Sequence, residues 1–213
     1  MTTVLLLADD LFLVGHDQYT GRARIDGAVL DTTLAGAVLG ELLLAGRVDT
    51  ENGMFVTVRD QRPYGERVSD AALAEILKQR ESRTVRAWVE YLRADARAMV
   101  ATRLLQAGLV ERVAGRRRMR SLVRYPATDP SAAAAPQVRL RYVLDHREAL
   151  DAKSAVLAGL VAVAGLETVV GGDSDRPTRA ALAELRSGLS APLQALVLGV
   201  ESAVAQVTLS VRA

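Results

Sequence analysis

AVLAGLVAVAGL, Ala155 to Leu166, is apolar at every position, so a helix built from it has no polar side to offer water and must be enclosed by other elements. It falls well short of the roughly 20 residues that a bilayer span needs. The expected element is therefore the core helix of a globular fold, reading from about Lys153 to Val169.

The stretches around it supply the amphipathic helices such a core requires. From Thr84 to Gln106, Val85, Trp88, Val89, Leu92, Ala96, Met99, Val100 and Leu104 recur at spacings of three and four, the clearest helical stripe in the chain. A second stripe, Leu34, Val38, Leu39, Leu42 and Leu43, predicts a helix capped by Asp31 or Thr32, running to about Ala45 and ended by Gly46. Further helices are expected over Ala71–Gln79, Arg139–Leu150 and from Arg179 to the C-terminus, with a break near Ser190 and Pro192. Met54, Val56 and Val58 alternate as a short strand does, and HDQYTG (16–21) and GGDSD (171–175) read as turns. ATDPSAAAAPQ (127–137) reads as a linker-like loop closed by Pro136.

LLLAGRVDTENGMFVTV and LLQAGLVERVAGRRRMRSLV both end a leucine-rich helix at Ala-Gly, then turn into a short alternating segment. A helix stopped by glycine before a strand needs little more than this, so the echo is local chemistry and not a repeat. The fold class is mainly α: one domain over 1–213, a central apolar helix surrounded by amphipathic helices, plus short β-hairpins.

A chain of 213 residues, half of them hydrophobic, buries a substantial core. Its 27 basic and 25 acidic residues leave a net charge of only +2, so any acidic partner must meet a local patch. Lys78 and Lys153 are the only lysines; an arginine bias of this kind suits a GC-rich coding sequence as readily as a binding role. With no cysteine there are no disulfides or thiolate sites, which suits a reducing cytoplasm. MTTVLLLADDLFLVG lacks a positive leading region, and Asp9 and Asp10 interrupt its apolar run, so it does not read as a signal peptide.

Catalytic groupings are not apparent. His16 and His146 are far apart and outside any ligand-spaced motif, so no metal is expected. Ser121, Ser154 and Ser190 lack a nucleophile-elbow context, and GGDSD has neither the length nor the lysine of a P-loop. Asp9 and Asp10 are adjacent, and neighbours on a helix or strand do not face one another. The expectation is a protein that is not an enzyme and carries no cofactor.

LLQAGLVERVAGRRRMRSLVRYP (104–126) gathers Arg116, Arg117, Arg118, Arg120 and Arg124. A helix, then Leu-Leu-x-x-Gly-Leu-Val-Glu-Arg and a basic hairpin, is also the pattern of a winged-helix DNA-binding regulator, whose wing arginines neutralise phosphates. That is the alternative reading, and nucleic acid is the less favoured partner because no separate three-helix unit with polar base-reading side chains is visible. A solvated hairpin with bias-derived arginines is the third.

LLLADDLFLVGHDQYTG, AGAVLGELLLAGRV, VRAWVEYL and RLLQAGLVERV, in this order, resemble the Golgi phosphoprotein 3 family, including its bacterial members, over essentially the whole chain. The most specific parts are the leucines around Asp9 and Asp10 and the Gly36–Val48 motif. The resemblance implies a helical protein bound to phosphatidylinositol 4-phosphate at the cytoplasmic membrane face. It places the central helix at Ser154–Val169 and a membrane-facing, self-associating hairpin at Glu111–Tyr125. Carried across, the family's pocket tryptophan falls on Asp26 and its helix arginine on Ala35; of the two arginines on the later helix, one is Arg97 and the other falls on Ala94, beside Arg93. The chain opens without the basic N-terminal extension that the family uses for coat recruitment, so no trafficking role is expected.

The lipid-binding residues expected on this basis are Arg93, Arg97, Arg22, Arg24, Arg116, Arg117, Arg118 and Arg120. Surface arginines near an anionic membrane contribute about 1 kcal/mol each, so a cluster holds a protein transiently even without a head-group pocket. The expected partners are phosphatidylinositol 4-phosphate or other anionic lipid head groups, cytoplasmic tails of membrane proteins, and a second copy through the 111–125 hairpin. The expected location is cytoplasmic, peripheral to the inner membrane face.

Overall fold

The computed structural model describes residues 5–114, 123–146, 151–171 and 181–212, the last without 183 and 186. Among them the fold is mainly α, with one two-stranded hairpin of regular strands. In chain order the elements are α1 (Leu7–Gly15), α2 (Gly27–Leu44), β1 (Val48–Glu51), β2 (Phe55–Val58), α3 (Arg67–Lys78) and α4 (Val85–Gln106). Then come α5 (Pro130–Ala133), α6 (Ala135–His146), α7 (Ala152–Val163), α8 (Glu167–Gly171) and α9 (Ala191–Arg212).

α7 is the apolar core helix expected from Ala155–Leu166: every residue from Ser154 to Val161 is buried. It ends six residues before the expected Val169, because Gly165 takes φ 71° and the chain closes a Schellman cap, Leu166 N–H donating to the Val161 carbonyl at 3.0 Å. α2 shares the centre. It packs against α1, α3, α4, α7 and α9 and is buried at every position from Thr32 to Leu42. By length and composition α2 and Ala191–Ser210 of α9 would each suffice to cross a bilayer, but α2, 67% buried, is the core helix of this fold.

Two glycines let α2 come that close to its neighbours. A Cβ on Gly36 would lie 2.3 Å from Val200 Cγ2, and one on Gly40 would lie 2.8 Å from Leu7 Cδ2 and 2.9 Å from Leu196 Cδ2. The helices meet with almost no side chain between them there, and Phe12, Leu39, Trp88, Leu104, Leu157 and Leu196 complete one continuous core.

The ends of elements differ from expectation for local reasons. α2 begins at Gly27 because Asp26 is its cap, accepting from Ala28 N–H at 2.8 Å. Thr32 and Thr33 are inside the helix, their hydroxyls donating back to Ala28 and Val29 carbonyls. ATDPSAAAAPQ is not a linker: Asp129 caps α5 with Pro130 in its first turn, and Pro136 lies buried at the start of α6, where its missing N–H costs nothing. α3 starts before Ala71 because Glu66 caps it.

The echo between the two leucine-rich helix ends is real as local geometry. Gly46 and Gly108 have φ of 64° and 69°, and each helix closes with the same pair of carbonyl bonds. Beyond the two glycines the chain takes different courses. After Gly46 comes the β1–β2 hairpin, turned at Asn52 and Gly53, both at positive φ. After Gly108 come antiparallel bridges of Val110 with Ala127 and Val113 with Arg124, the base of the expected second hairpin. Its tip, with Arg116, Arg117, Arg118 and Arg120, lies outside the described residues, as does most of GGDSD.

Candidate functional site

The loop between α1 and α2 is shaped by one aspartate and one arginine. Asp17 Oδ1 accepts from Thr20 N–H and Oγ1, each at 2.8 Å, which closes the HDQYTG turn. Arg24 braces it from inside, donating to the His16 carbonyl at 3.1 Å and Gln18 Oε1 at 2.9 Å, with Asp17 at 3.4 Å. Gly21 docks the turn on the second hairpin's base. Its carbonyl accepts from Tyr125 N–H at 3.0 Å, and with φ 65° and a would-be Cβ 2.1 Å from Pro126 N, only glycine fits.

His16 sits under this loop, stacked on Phe12 with ring centroids 4.0 Å apart and Nδ1 2.8 Å from the Phe12 carbonyl. Burial pushes its pKa down to about 4, and the charges of Arg97 and Arg24 push the same way. The ring is therefore neutral near pH 7, and it lies within electrostatic reach of both the loop's Arg24 and α4's Arg97.

Beside it, an open groove of about 520 Å³ lies between the first turns of α2, the first half of α4 and the end of α9. Ala28 and Asp31 come from α2, Glu90, Arg93 and Ala94 from α4, and Gln206, Val207 and Ser210 from α9. The 90, 93, 94 and 97 spacing puts these side chains along one flank of α4. Arg97 is bound to Asp31, Nε to Oδ1 at 2.8 Å and Nη2 to Oδ2 at 3.3 Å. Burial raises the Asp31 carboxyl, and Arg97 pulls it back toward the ionised form. Glu90 pairs with Arg86, Nε to Oε1 at 3.1 Å. The start of α2 is not a free anion site, because the Asp26 carboxylate already accepts from its first N–H groups.

Of the residues expected from sequence, Arg93 and Arg97 are brought to this groove, Arg93 exposed on its wall and Arg97 behind Asp31. Arg22 is exposed on the adjoining loop. Arg24 is at the same place but its guanidinium is engaged within the turn, so it positions the loop rather than waiting for a ligand. Arg116, Arg117, Arg118 and Arg120 lie outside the described residues, while Arg124 joins the described base.

A family model described as Golgi phosphoprotein 3 (GPP34) matches residues 7–207. The chain belongs to the Golgi phosphoprotein 3 family. Compared against the curated proteins, it finds no match.

Three of the four stretches that carry the Golgi phosphoprotein 3 resemblance meet in space at one half-buried arginine. Arg103, from RLLQAGLVERV, bonds Asp9 of the N-terminal motif at 2.8 Å, Glu41 of the Gly36–Val48 motif at 3.1 Å and Glu66, the α3 cap, at 2.6 Å. Glu41 also accepts from Ala8 N–H and Ser69 Oγ, and Asp9 from Leu6 N–H. Burial raises the carboxyls of Asp9 and Glu41, with Arg103 opposing. The cluster therefore ties α1, α2, α3 and α4 together, with four bonds from the Arg103 guanidinium to its three carboxylates.

Two other positions bear on the family's head-group pocket. Ala35, aligned with the family's helix arginine, is fully buried in α2, and Asp26, aligned with its tryptophan, is a helix cap. Neither offers a ligand anything. Gln206 and Ser210 went unnoticed in the sequence, because nothing in a helical stripe says which polar positions near a C-terminus face another helix's arginine.

The DNA-binding alternative needs α4 to pack within a separate three-helix unit. Instead α4 packs on α1, α2, α3 and α9 as part of the common core, with Trp88, Val89, Val100 and Leu104 buried.

Proposed function

We propose that this protein is a peripheral membrane adaptor that holds phosphatidylinositol 4-phosphate or another anionic phospholipid through an arginine-bearing surface, and does no chemistry. Family membership supports the reading. The observation that carries it is the groove in which an exposed Arg93 stands beside the Arg97–Asp31 pair, next to the loop that bears Arg22. Arginine grips phosphate oxygens bidentately, and several guanidiniums near an anionic surface add about 1 kcal/mol each.

The base of the second hairpin, Val110–Val113 and Arg124–Ala127, docks on that loop through the Tyr125–Gly21 bond. On this reading the protein is cytoplasmic and rests on the inner membrane face. Cytoplasmic tails of membrane proteins, and a second copy through residues 111–125, are its further partners. No bulky apolar tip is evident in the hairpin sequence, so binding is electrostatic and salt-sensitive.

Cosedimentation with liposomes of acidic and of neutral lipids, at low and moderate salt, tests the proposal. Acidic liposomes are expected to pull the protein down at low salt, and Arg116, Arg117, Arg118 and Arg120 replaced together by serine, or Arg93 and Arg97 replaced together, to weaken this severalfold. A parallel arm with duplex DNA separates the alternative: a steep salt-dependent shift of DNA without liposome binding would replace the membrane reading.

A further inference from the structure

Between α3 and α4 lies a second cleft, made of two cavities that run into one another and include neither Arg93 nor Arg97. The smaller, of about 290 Å³, is bounded by Arg67 and Val68 of α3 and by Asp95, Met99 and Arg103 of α4. The larger, of about 400 Å³, shares Val68, Asp95 and Met99 with it and continues over Val38, Ala72 and Leu92. This floor is apolar because Val68 and Ala72 are buried on α3 while Leu92 and Met99 pack on the same core from α4. The larger cavity alone exceeds the roughly 300 Å³ at which small-molecule sites begin.

Two charged side chains in the cleft stand apart from the rest. Arg67 and Asp95 both line the smaller cavity, both are exposed, and neither has an ion-pair or hydrogen-bond partner among the described residues. The other charged groups of the cleft are engaged. Glu66 bonds Arg103 at 2.6 Å, and Glu75 bonds Lys78 at 2.6 Å and accepts from the Tyr91 hydroxyl at 3.0 Å. The cleft thus offers one unpaired guanidinium, one unpaired carboxylate and an apolar floor beside them.

An anion would leave Asp95 without a partner, a cation would leave Arg67 without one, and a neutral apolar molecule would leave both. We infer that the cleft between α3 and α4 binds a free α-amino acid with an apolar side chain. Its carboxylate meets the Arg67 guanidinium, which grips carboxylates bidentately, and its ammonium meets Asp95. Its side chain lies over Val38, Leu92 and Met99, where the flexible thioether adapts to differing shapes. The match is made group by group and needs no net charge in the cleft.

Amide NMR titration of the full-length protein tests this with L-leucine, with glycine, which lacks the apolar side chain, with isoamylamine, which is leucine without its carboxylate, and with isocaproate, which is leucine without its ammonium. Leucine is expected to bind about tenfold tighter than glycine, for the methylenes and methyls it buries. It should bind about fivefold tighter than isoamylamine or isocaproate, the upper range for one exposed charge pair. The shifted amides should lie within Arg67–Glu75 and Tyr91–Gln106. Asp95→Asn should reduce leucine to the affinity of isocaproate, and Arg67→Gln to that of isoamylamine; both side chains are exposed, so both variants should melt as the native protein does. Equal binding of the three leucine-sized probes, shifts elsewhere in the protein, or no saturable shift at millimolar leucine overturns the site. So does leucine binding that neither substitution alters. Any of these results leaves the membrane reading standing, because that reading is decided on liposomes and on other arginines.

Discussion

Asp9 and Asp10 are neighbours on α1 that serve two separate ion clusters: Asp9 bonds Arg103 at 2.8 Å, while Asp10, fully buried, bonds both Arg139 and Lys153 at 2.7 Å. Consecutive helical residues point about 100° apart, so one aspartate reaches α4 and the other reaches α6 and α7. The pair ties α1 to α4 through Asp9 and to α6 and α7 through Asp10.

Removing Arg103 leaves Asp9, Glu41 and Glu66 facing one another without their shared cation. Arg103→Met is expected to cost about 3–5 kcal/mol of unfolding free energy, the usual penalty for breaking a buried ion pair from one side. Asp10→Asn should cost less, because the cations it leaves behind, Arg139 and Lys153, have side chains 40% and 30% exposed and can turn to water. Urea unfolding of both variants checks the order; equal or reversed losses would remove the Arg103 cluster from its central place.

His16 makes stability depend on pH in a defined window. Its folded pKa of about 4 lies below the ordinary 6.5, through burial first and then the charges of Arg97 and Arg24. A ring that resists protonation only when folded contributes stability above pH 6.5 that is lost as pH falls from 6.5 toward 4. The difference is worth roughly 3 kcal/mol, at 1.36 kcal/mol per unit. NMR should find the ring neutral at pH 5, and His16→Gln should flatten the loss of stability between pH 6.5 and 4.

Glu41 works in the other direction. Burial raises its carboxyl above 4.5 despite Arg103, so the folded protein holds that proton more tightly than the unfolded chain. Its contribution to stability therefore falls as pH rises from 4.5 to the raised value and is level beyond. The unfolding free energy of the native protein, less that of Glu41→Gln, should decline over that interval; a rise would mean that Arg103 outweighs burial at this carboxylate.

The contact of α2 with α1 and α9 depends on Gly40. Gly40→Val drives a side chain into Leu7 and Leu196, whose nearest methyls lie under 3 Å from a Cβ there. The expected cost is about 1–3 kcal/mol, as for other overpacked cores. Thermal melts check it, and a neutral substitution would show that α9 slides freely on α2.

The apolar run at Ala155–Leu166 and the stripe from Val85 to Leu104 were legible because burial on all sides, or along one stripe, is written directly in side-chain type. α2 was half legible. Its stripe was clear, but Thr32, Thr33 and Glu41 hid that the helix is enclosed all round, since the sequence does not show that each polar group has an internal partner. The groove was least legible. Arg93 and Arg97 could be singled out by alignment, yet Asp31, Glu90, Gln206 and Ser210 become neighbours only when three helices separated in sequence converge. Arg24 looked like a phosphate ligand for the same reason: its carbonyl, amide and carboxylate partners are set by a turn whose closure depends on tertiary docking.

Arg93 and Arg97 share a helix flank but should fail differently when removed. Arg93 is exposed on the groove wall, so Arg93→Ala is expected to weaken binding to acidic liposomes about fivefold, the worth of one arginine near the surface, and to leave the melting temperature unchanged. Arg97→Ala deprives Asp31, only 26% exposed, of its partner, so it should lower both binding and melting temperature. Adding Asp31→Asn to Arg97→Ala removes the stranded carboxylate and should restore most of the lost stability without restoring binding. Liposome cosedimentation and thermal melts on the four proteins read the two effects apart. If Arg97→Ala alone lowered binding with no change in melting, Arg97 would be a direct ligand and not the residue that holds Asp31 in place.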